Sequence, residues 1–238
     1  MSPVVLLPGL VCDAAVWAHT RASLEAHAPV TIPDYGLRDS LGAMAEQVLR
    51  DSPPRFALAG HSMGGRVALE VLRRAPQRVS ALALLDTGVA PLPAGEAGER
   101  EAAGRHELLA IAREHGMATM AERWVQGMVW SPRLADRALV QAVIDMFARR
   151  GADMFAAQIR ALLARPDAGG LLAGIRCPTL VLCGEQDSWA PAQRHREMAA
   201  KIPGATLVLV PECGHMCTME RPERVTRALL DWHAAANH

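Results

Sequence analysis

The sequence lacks a net charge, and it almost lacks lysine. Its 238 residues include 25 cationic and 25 acidic side chains, and Lys201 is the only lysine among them. A neutral chain has no overall electrostatic attraction to nucleic acid or to an anionic membrane, so neither is expected as a partner. A mechanism that needs a catalytic lysine has a single candidate residue.

The sequence also lacks an apolar run of about 18 residues, the length that a transmembrane helix needs. Its apolar start has no lysine or arginine ahead of it and is interrupted at Pro8, so we expect no export signal. The five cysteines are odd in number and form no Cys-x-x-Cys pair, which argues against a disulfide framework. Cys213 and Cys217 flank His215, but no second ligand cluster follows them, so no metal is expected. These features predict a cytoplasmic protein with free thiols and without a cofactor.

Short apolar runs alternate with helix-forming stretches over most of the chain. Runs rich in Val and Leu predict six strands, at 4–7, 30–32, 55–60, 81–85, 179–183 and 206–210. Strands that are apolar on both faces and separated by helices are typical of a parallel sheet in an α/β domain.

Residues 93–166 break this alternation, because they contain helical patterns and no strand-like run. Many of the large side chains outside the predicted sheet lie there. We therefore predict a core domain of residues 1–92 and 167–238 that carries a helical insertion at 93–166.

The most specific motif is Gly60-His61-Ser62-Met63-Gly64-Gly65. Gly-x-Ser-x-Gly between an apolar strand and a helix is typical of a nucleophile elbow, a sharp turn that exposes the serine hydroxyl at the carboxyl end of the sheet. The glycines are needed because a Cβ atom would collide with the neighbouring strand and helix. The helix N-terminus after Ser62 favours a developing negative charge. Ser62 is therefore the candidate nucleophile.

With this motif the chain resembles the α/β-hydrolase superfamily over nearly its whole length. The resemblance implies an α/β-hydrolase fold, with a mainly parallel six-stranded sheet, flanking helices and residues 93–166 as a helical cap over the active site. It also implies the chain order serine, acid, histidine. The segment ending at Asp187 resembles the family's acid loop, and Gly214-His215 resembles its histidine loop. On this resemblance His215 takes the proton of Ser62 and Asp187 orients His215, with Asp86 and Glu185 as alternatives for the acid.

Acyl transfer also needs hydrogen-bond donors for the oxyanion. The resemblance implies the backbone N–H of Met63 and one from the loop after the first strand, which by position is that of Leu10. Many relatives carry His-Gly where this chain has Pro8-Gly9, but a backbone donor does not need that side chain. Most relatives also place a β-hairpin ahead of this strand. We expect the hairpin to be absent, so that 30–32 forms the exposed edge, which suits the prolines on either side of it.

The type of nucleophile limits the classes of reaction that the chain is expected to catalyse. A serine argues against the haloalkane dehalogenases and epoxide hydrolases of this superfamily, which use aspartate, and Lys201 is poorly placed for a hydroxynitrile lyase. We expect hydrolysis of a carboxylic ester or lactone of a small, largely apolar substrate through an acyl-Ser62 intermediate. Carbon–carbon bond hydrolases and enol-lactonases remain open, as does a receptor with little turnover.

Large apolar side chains in the insertion and near the acid and histidine loops predict the substrate pocket. They are Trp124, Met128, Trp130, Phe147, Trp189 and Met216. A cluster of arginines in the insertion offers a binding site for a substrate carboxylate, but solvated helix faces explain these arginines more simply; they are Arg100, Arg105, Arg113 and Arg123. Nothing in the sequence indicates the oligomeric state.

Overall fold

The computed structural model describes residues 2–236, and the strands of this range form a parallel sheet of six strands. In chain order they are β1 (Val4–Leu7), β2 (Val30–Thr31), β3 (Phe56–His61), β4 (Val79–Leu85), β5 (Thr179–Gly184) and β6 (Thr206–Val210). Their order across the sheet is β2-β1-β3-β4-β5-β6, and each neighbouring pair is parallel. The predicted six-stranded parallel sheet is confirmed.

The sheet is buried in its centre and open at its edges. Every residue of β1, β3, β4 and β5 is buried, because helices cover both faces of a parallel sheet. Strand β2 is paired with β1 alone, through Val4 opposite Val30 and Val5 opposite Thr31. It is therefore an edge strand, as the flanking prolines predict, although it ends at Thr31 and not at residue 32.

Nine α-helices connect and cover the strands within residues 2–236. They are α1 (Ala18–Leu24), α2 (Leu41–Asp51), α3 (Met63–Arg74), α4 (Glu96–Met128), α5 (Arg137–Ala148), α6 (Ala152–Leu163), α7 (Ala192–Lys201), α8 (Cys217–Glu220) and α9 (Pro222–Ala235). Ser40 caps α2, because its Oγ accepts the N–H of Ala43 at 3.2 Å. None of the helices in this range is both long and apolar enough to cross a bilayer.

Helices α4, α5 and α6 lie between β4 and β5 and form what we call the helical insert, residues 96–163. Helix α4 breaks at Gly116, whose φ of 87° is not helical, so two helical segments meet there. Trp124 of α4 stacks on Phe147 of α5 with ring centroids 5.0 Å apart and lies 5.8 Å from the ring of Phe155 on α6. The three helices thus share an apolar centre of their own.

Candidate active site

Ser62 lies at the turn between β3 and α3 in a strained backbone conformation. Its φ is 54° and its ψ is −117°, values that a residue with a side chain seldom adopts. The turn is tied to the neighbouring strand β4, because Ser62 N–H donates to the carbonyl of Leu85 at 2.8 Å. On its other side, Thr87 Oγ1 donates to the carbonyl of Ser62 at 2.7 Å. These two bonds hold the serine in place at the carboxyl end of the sheet.

Two glycines of the motif are required by close backbone approach. A Cβ atom at Gly60 would collide with the carbonyl of Gly64, and one at Gly64 would collide with the carbonyl of Leu7. Backbone atoms cannot move aside as a flexible side chain can. Strands β1 and β3 and helix α3 therefore meet only because no side chain stands between them.

The structure brings Ser62, His215 and Asp187 into one chain of hydrogen bonds. Ser62 Oγ lies 2.8 Å from His215 Nε2, and His215 Nδ1 lies 2.8 Å from Asp187 Oδ2. The second carboxylate oxygen, Oδ1, accepts the backbone N–H groups of Trp189 at 2.8 Å and Ala190 at 2.9 Å. Both oxygens of Asp187 are thus satisfied, and the carboxylate is held in one orientation toward the imidazole.

In this hydrogen-bonded series, the charges of Asp187 and His215 stabilise each other. Burial acts to raise the pKa of Asp187, but the charge and hydrogen bond of His215 outweigh it, so that the pKa is lowered. Burial acts to lower the pKa of His215, and Asp187 outweighs it in turn, so that this pKa is raised. The carboxylate therefore stays ionised and stabilises a protonated His215.

The other two acids lie apart from His215 Nδ1. Asp86 is fully buried directly after β4, where its Oδ1 accepts the N–H of Gly184 at 2.9 Å and its Oδ2 lies 3.7 Å from His61 Nε2. Burial, and then the charge of Asp187, raise its pKa well above the ordinary value, which favours a neutral carboxyl. The side chain of Glu185 is exposed.

A cavity of about 80 Å³ opens beside Ser62. Trp124, Met128 and Trp189 line it, as the sequence predicts, and so do Leu10 and Met63, the two residues expected to supply oxyanion donors. Three other residues assigned to the substrate pocket do not line this cavity; they are Trp130, Phe147 and Met216. Phe147 lies behind Trp124 in the insert, Met216 is fully buried, and Trp130 donates its backbone N–H to a carboxylate at 3.0 Å.

Three arginines line the same cavity, and the sequence analysis had considered only Arg105 as a ligand for the substrate. They are Arg66, Arg105 and Arg194. The assignment of Arg105 to a solvated helix face is therefore wrong. Arg66 stands four residues after the nucleophile on α3, a spacing that could have indicated a position near the site.

Glu220 is a second residue that the sequence analysis missed. Its carboxylate is fully buried and accepts the backbone N–H groups of Gly214 at 3.0 Å, Met216 at 3.1 Å and Trp130 at 3.0 Å. It therefore supports the loop that carries His215 and connects it to the end of α4. A glutamate five residues after the candidate histidine was the available signal.

Gln158 of α6 is a third residue that the sequence analysis missed. Its Oε1 accepts the N–H of Val11 at 2.7 Å, and Val11 has a positive φ of 48°. The side chain is buried and belongs to the helical insert, yet it supports the loop that follows β1. A polar residue in a helix pattern gives no sign of so distant a partner.

The cysteines beside His215 are buried thiols. Burial is the main cause that raises the pKa of both Cys213 and Cys217. Over residues 2–236, no group of three or more His, Cys, Asp and Glu side chains is placed to hold a metal ion.

Known proteins of similar sequence or structure include several hydrolases. An esterase from Thermogutta terrifontis is 27% identical with a TM-score of 0.91, over 100% of this chain and 91% of that one. A 2-hydroxy-6-oxononadienedioate/2-hydroxy-6-oxononatrienedioate hydrolase from Cupriavidus pinatubonensis is 28% identical over 96% of this chain and 86% of the relative. The dihydrolipoyllysine-residue acetyltransferase component of the acetoin cleaving system from Pseudomonas putida is 29% identical over 96% of this chain. The chain spans only 62% of the length of that relative.

The family model described as the alpha/beta hydrolase family matches residues 4–228, which include all six strands, the helical insert and the elbow at Ser62. By sequence, sheet topology and overall structure, the chain belongs to the alpha/beta hydrolase family.

Proposed function

We propose that the chain is a serine hydrolase that cleaves a carboxylic ester or lactone through an acyl-Ser62 intermediate. The observation that carries this proposal is the hydrogen-bonded series from Ser62 Oγ through His215 to Asp187, with 2.8 Å at each step. A serine hydroxyl is a weak nucleophile at neutral pH, and this arrangement provides the base that it needs.

The geometry supports a two-step mechanism. In the first step His215 Nε2 takes the proton of Ser62 as Oγ attacks the carbonyl carbon, and it then returns the proton to the leaving alcohol. In the second step His215 takes a proton from water, which attacks the acyl-Ser62 carbonyl, and the serine is regenerated. Asp187 holds the imidazole in the required orientation and stabilises its cation in both steps.

The tetrahedral intermediates carry a negative oxygen that needs hydrogen-bond donors. We assign this role to the backbone N–H groups of Met63 and Leu10, because both residues line the cavity at Ser62. Met63 is the first residue of α3, so its N–H has no acceptor within the helix and the helix dipole adds to the stabilisation. Gly9 allows the Leu10 loop to approach, because a Cβ there would lie 3.1 Å from His61 Nδ1 and 3.3 Å from Ser62 Cβ.

An ester substrate is favoured because the structurally similar protein from Thermogutta terrifontis is an esterase. Carbon–carbon bond hydrolysis is the second candidate, because the Cupriavidus pinatubonensis relative is named for a hydrolase of an oxo-dienedioate. Both reactions use the same three side chains, so a substrate panel has to separate them. It contains esters of graded acyl length, lactones, enol-lactones and vinylogous diketones.

The test of the proposal is the hydrolysis of 4-nitrophenyl acetate and butyrate by the wild type and by Ser62→Ala. We expect the variant to lose at least three orders of magnitude in kcat, because the members of such a set act as a unit. A fluorophosphonate should label the wild type at Ser62 and leave the variant unlabelled.

The matched control is Ser23→Ala, which removes the hydroxyl of a half-buried serine of α1 that donates to the carbonyl of His19. It should keep wild-type activity and labelling. Equal release of nitrophenol by the wild type and Ser62→Ala would show that the serine mechanism is wrong.

A further inference from the structure

Three arginines from three separate parts of the fold line the cavity at Ser62. Arg66 belongs to α3 of the core, Arg105 to α4 of the helical insert and Arg194 to α7. Arginines on one helix face would be explained by solvation of that face. Side chains from three elements that share one cavity need a different explanation.

The positive charge at this end of the cavity is only partly neutralised. Glu101 is the carboxylate within reach, and it is already paired with Arg105 and with Arg165, which lies outside the set of three. Its Oε1 accepts from Arg105 at 2.9 Å, and both of its oxygens accept from Arg165 at 2.7 Å. Across residues 2–236, no carboxylate forms an ion pair with Arg66 or with Arg194. Two of the three cavity arginines therefore carry uncompensated charge.

Arg66 is held in place and is not a mobile surface side chain. Its Nη1 donates to the carbonyl of Ala90 at 2.9 Å, and its Nη2 lies against Gly88, where a Cβ atom would be 3.2 Å away. Burial, followed by the charge of Arg165, lowers the pKa of Arg66 to about 9, and only Glu101 acts in the opposite direction among the principal causes. The guanidinium is thus still charged at neutral pH, in surroundings that favour an added anion.

We propose that the substrate carries an anionic group, a carboxylate or a phosphate, and that Arg66 binds it, with Arg105 and Arg194 adding to the attraction. The proposal rests on the proposed function, because it concerns the same cavity and the same nucleophile. Planar guanidinium groups bind both anions through two parallel N–H donors, which makes arginine suited to this role. The substrate is then an ester or lactone with a charged end, in place of the largely apolar molecule expected from the sequence.

The remaining lining agrees with a substrate of this form. Trp124, Met128 and Leu162 supply apolar surface, which suits a hydrocarbon spacer between the scissile carbonyl and the anion. Arg66 follows Ser62 by four residues, and both residues line a cavity of about 80 Å³, which leaves room for few atoms between them. The spacer is therefore short.

The test compares mono-4-nitrophenyl adipate with 4-nitrophenyl hexanoate, which differ only in a terminal carboxylate against a terminal methyl group. After subtraction of uncatalysed hydrolysis, we expect the wild type to prefer the adipate ester at least tenfold in kcat/KM. Arg66→Gln should lower this preference at least tenfold, and Arg66→Lys, which keeps the charge but loses the paired donors, should retain part of it. An equal preference in the wild type and in Arg66→Gln overturns the proposal.

The matched control is Arg100→Gln, which removes an exposed arginine of α4 that pairs with Glu96 outside the cavity. This variant lowers the net charge of the protein by the same amount and should keep the wild-type preference. A loss of preference in Arg100→Gln equal to that in Arg66→Gln would mean that long-range attraction is the cause, and the assignment to Arg66 would be wrong.

Calorimetry with Ser62→Ala separates this proposal from the proposed function and separates the two anions. Free adipate or inorganic phosphate should bind Ser62→Ala, and the binding should weaken at least tenfold in the Ser62→Ala/Arg66→Gln double variant. Binding of phosphate without adipate assigns the site to a phosphate group. If neither adipate nor phosphate binds the folded Ser62→Ala variant, the anion proposal is overturned. If an anion binds but the wild type shows no esterase activity, only the proposed function is overturned.

Discussion

The imidazole of His215 is subject to two opposing influences. Burial favours its neutral form, while the carboxylate of Asp187 favours its protonated form, and the second prevails so that the pKa is raised. The neighbouring ring of His61 does not add a competing charge. Burial is the main cause that lowers the pKa of His61 to about 4, and its centroid lies 5.4 Å from that of His215. Asp187 therefore has the largest effect of the carboxylates on the pKa of the proposed base, and Asp86 and Glu220 act in the same direction.

These shifts predict the pH dependence of ester hydrolysis. His215 can accept the proton of Ser62 only when it is neutral, so kcat/KM should fall as the pH drops through the raised pKa, with a midpoint above 6.5. Asp187→Asn removes the charge that raises this pKa. The midpoint should move to lower pH, and kcat should fall by about four orders of magnitude, as it does when such an acid is replaced by its amide. Rates measured from pH 5 to 9 would check both effects.

Asp86→Asn is the matched control for Asp187→Asn. The Asp86 carboxyl has a pKa raised well above its ordinary value, first by burial, so its neutral form resembles the amide that replaces it. The variant should keep the midpoint and most of the activity. The opposite pattern, with activity lost in Asp86→Asn and kept in Asp187→Asn, would transfer the role of the acid to Asp86.

The site depends on the elbow at Ser62, where backbone atoms of neighbouring elements are in close contact. Helix α3 approaches β3 and β1 closely because Gly60 and Gly64 have no side chains. A motif of this kind is visible in the sequence because the requirement is local. Both glycines stand within two residues of Ser62, and the strand and helix on either side have their own apolar patterns.

Gly60→Ala tests this packing through the stability of the fold. The added Cβ would meet the carbonyl of Gly64, so we expect the free energy of unfolding to fall by about 1–3 kcal/mol or more, as overpacking does in other cores. Urea unfolding followed by circular dichroism measures the change.

Gly104→Ala is the comparison for this prediction. Gly104 is an exposed residue inside α4, and a Cβ there would have no neighbour within 4 Å. Alanine should therefore stabilise the protein by about 0.5–1 kcal/mol, because glycine is the less favourable residue in a helix interior. Equal effects of the two substitutions would mean that the elbow tolerates a side chain at residue 60.

At the scale of the whole molecule, the helical insert is bonded to both loops of the proposed mechanism. Gln158 accepts the N–H of Val11 in the loop after β1, and the carbonyl of Met128 accepts the N–H of His215 at 2.8 Å. At the same end of α4, the N–H of Trp130 donates to Glu220. The insert therefore lines the cavity and is also bonded to the two loops beside it.

Gln158→Leu tests whether the insert supports the loop after β1. The substitution is similar in size but leaves the buried N–H of Val11 without its partner, which costs about 1–3 kcal/mol in the free energy of unfolding. Because this loop carries Leu10, kcat for ester hydrolysis should fall more than KM rises. Gln126→Leu, at an exposed position of α4, should change neither quantity. Wild-type kcat and stability in Gln158→Leu would show that the loop is held by other contacts.

The sequence by itself determined the features that depend on neighbours along the chain. Apolar runs separated by helices predicted the six strands and the insert, because each element shows its period locally. The elbow at Ser62 was visible for the same reason. The roles of Asp187 and His215 were inferred through resemblance to a family, since no local pattern brings the two residues together.

Only the tertiary structure decided what surrounds the nucleophile. Arg66, Arg105 and Arg194 come from three elements that meet only when the insert packs on the core, so their shared cavity has no local pattern in the sequence. The sequence also did not indicate which large apolar side chains of the insert line the cavity. Trp124 lines it, whereas Phe147 stacks on Trp124 and does not. The chemistry of the nucleophile is therefore encoded locally, whereas the charge and shape of the pocket arise from contacts between distant segments.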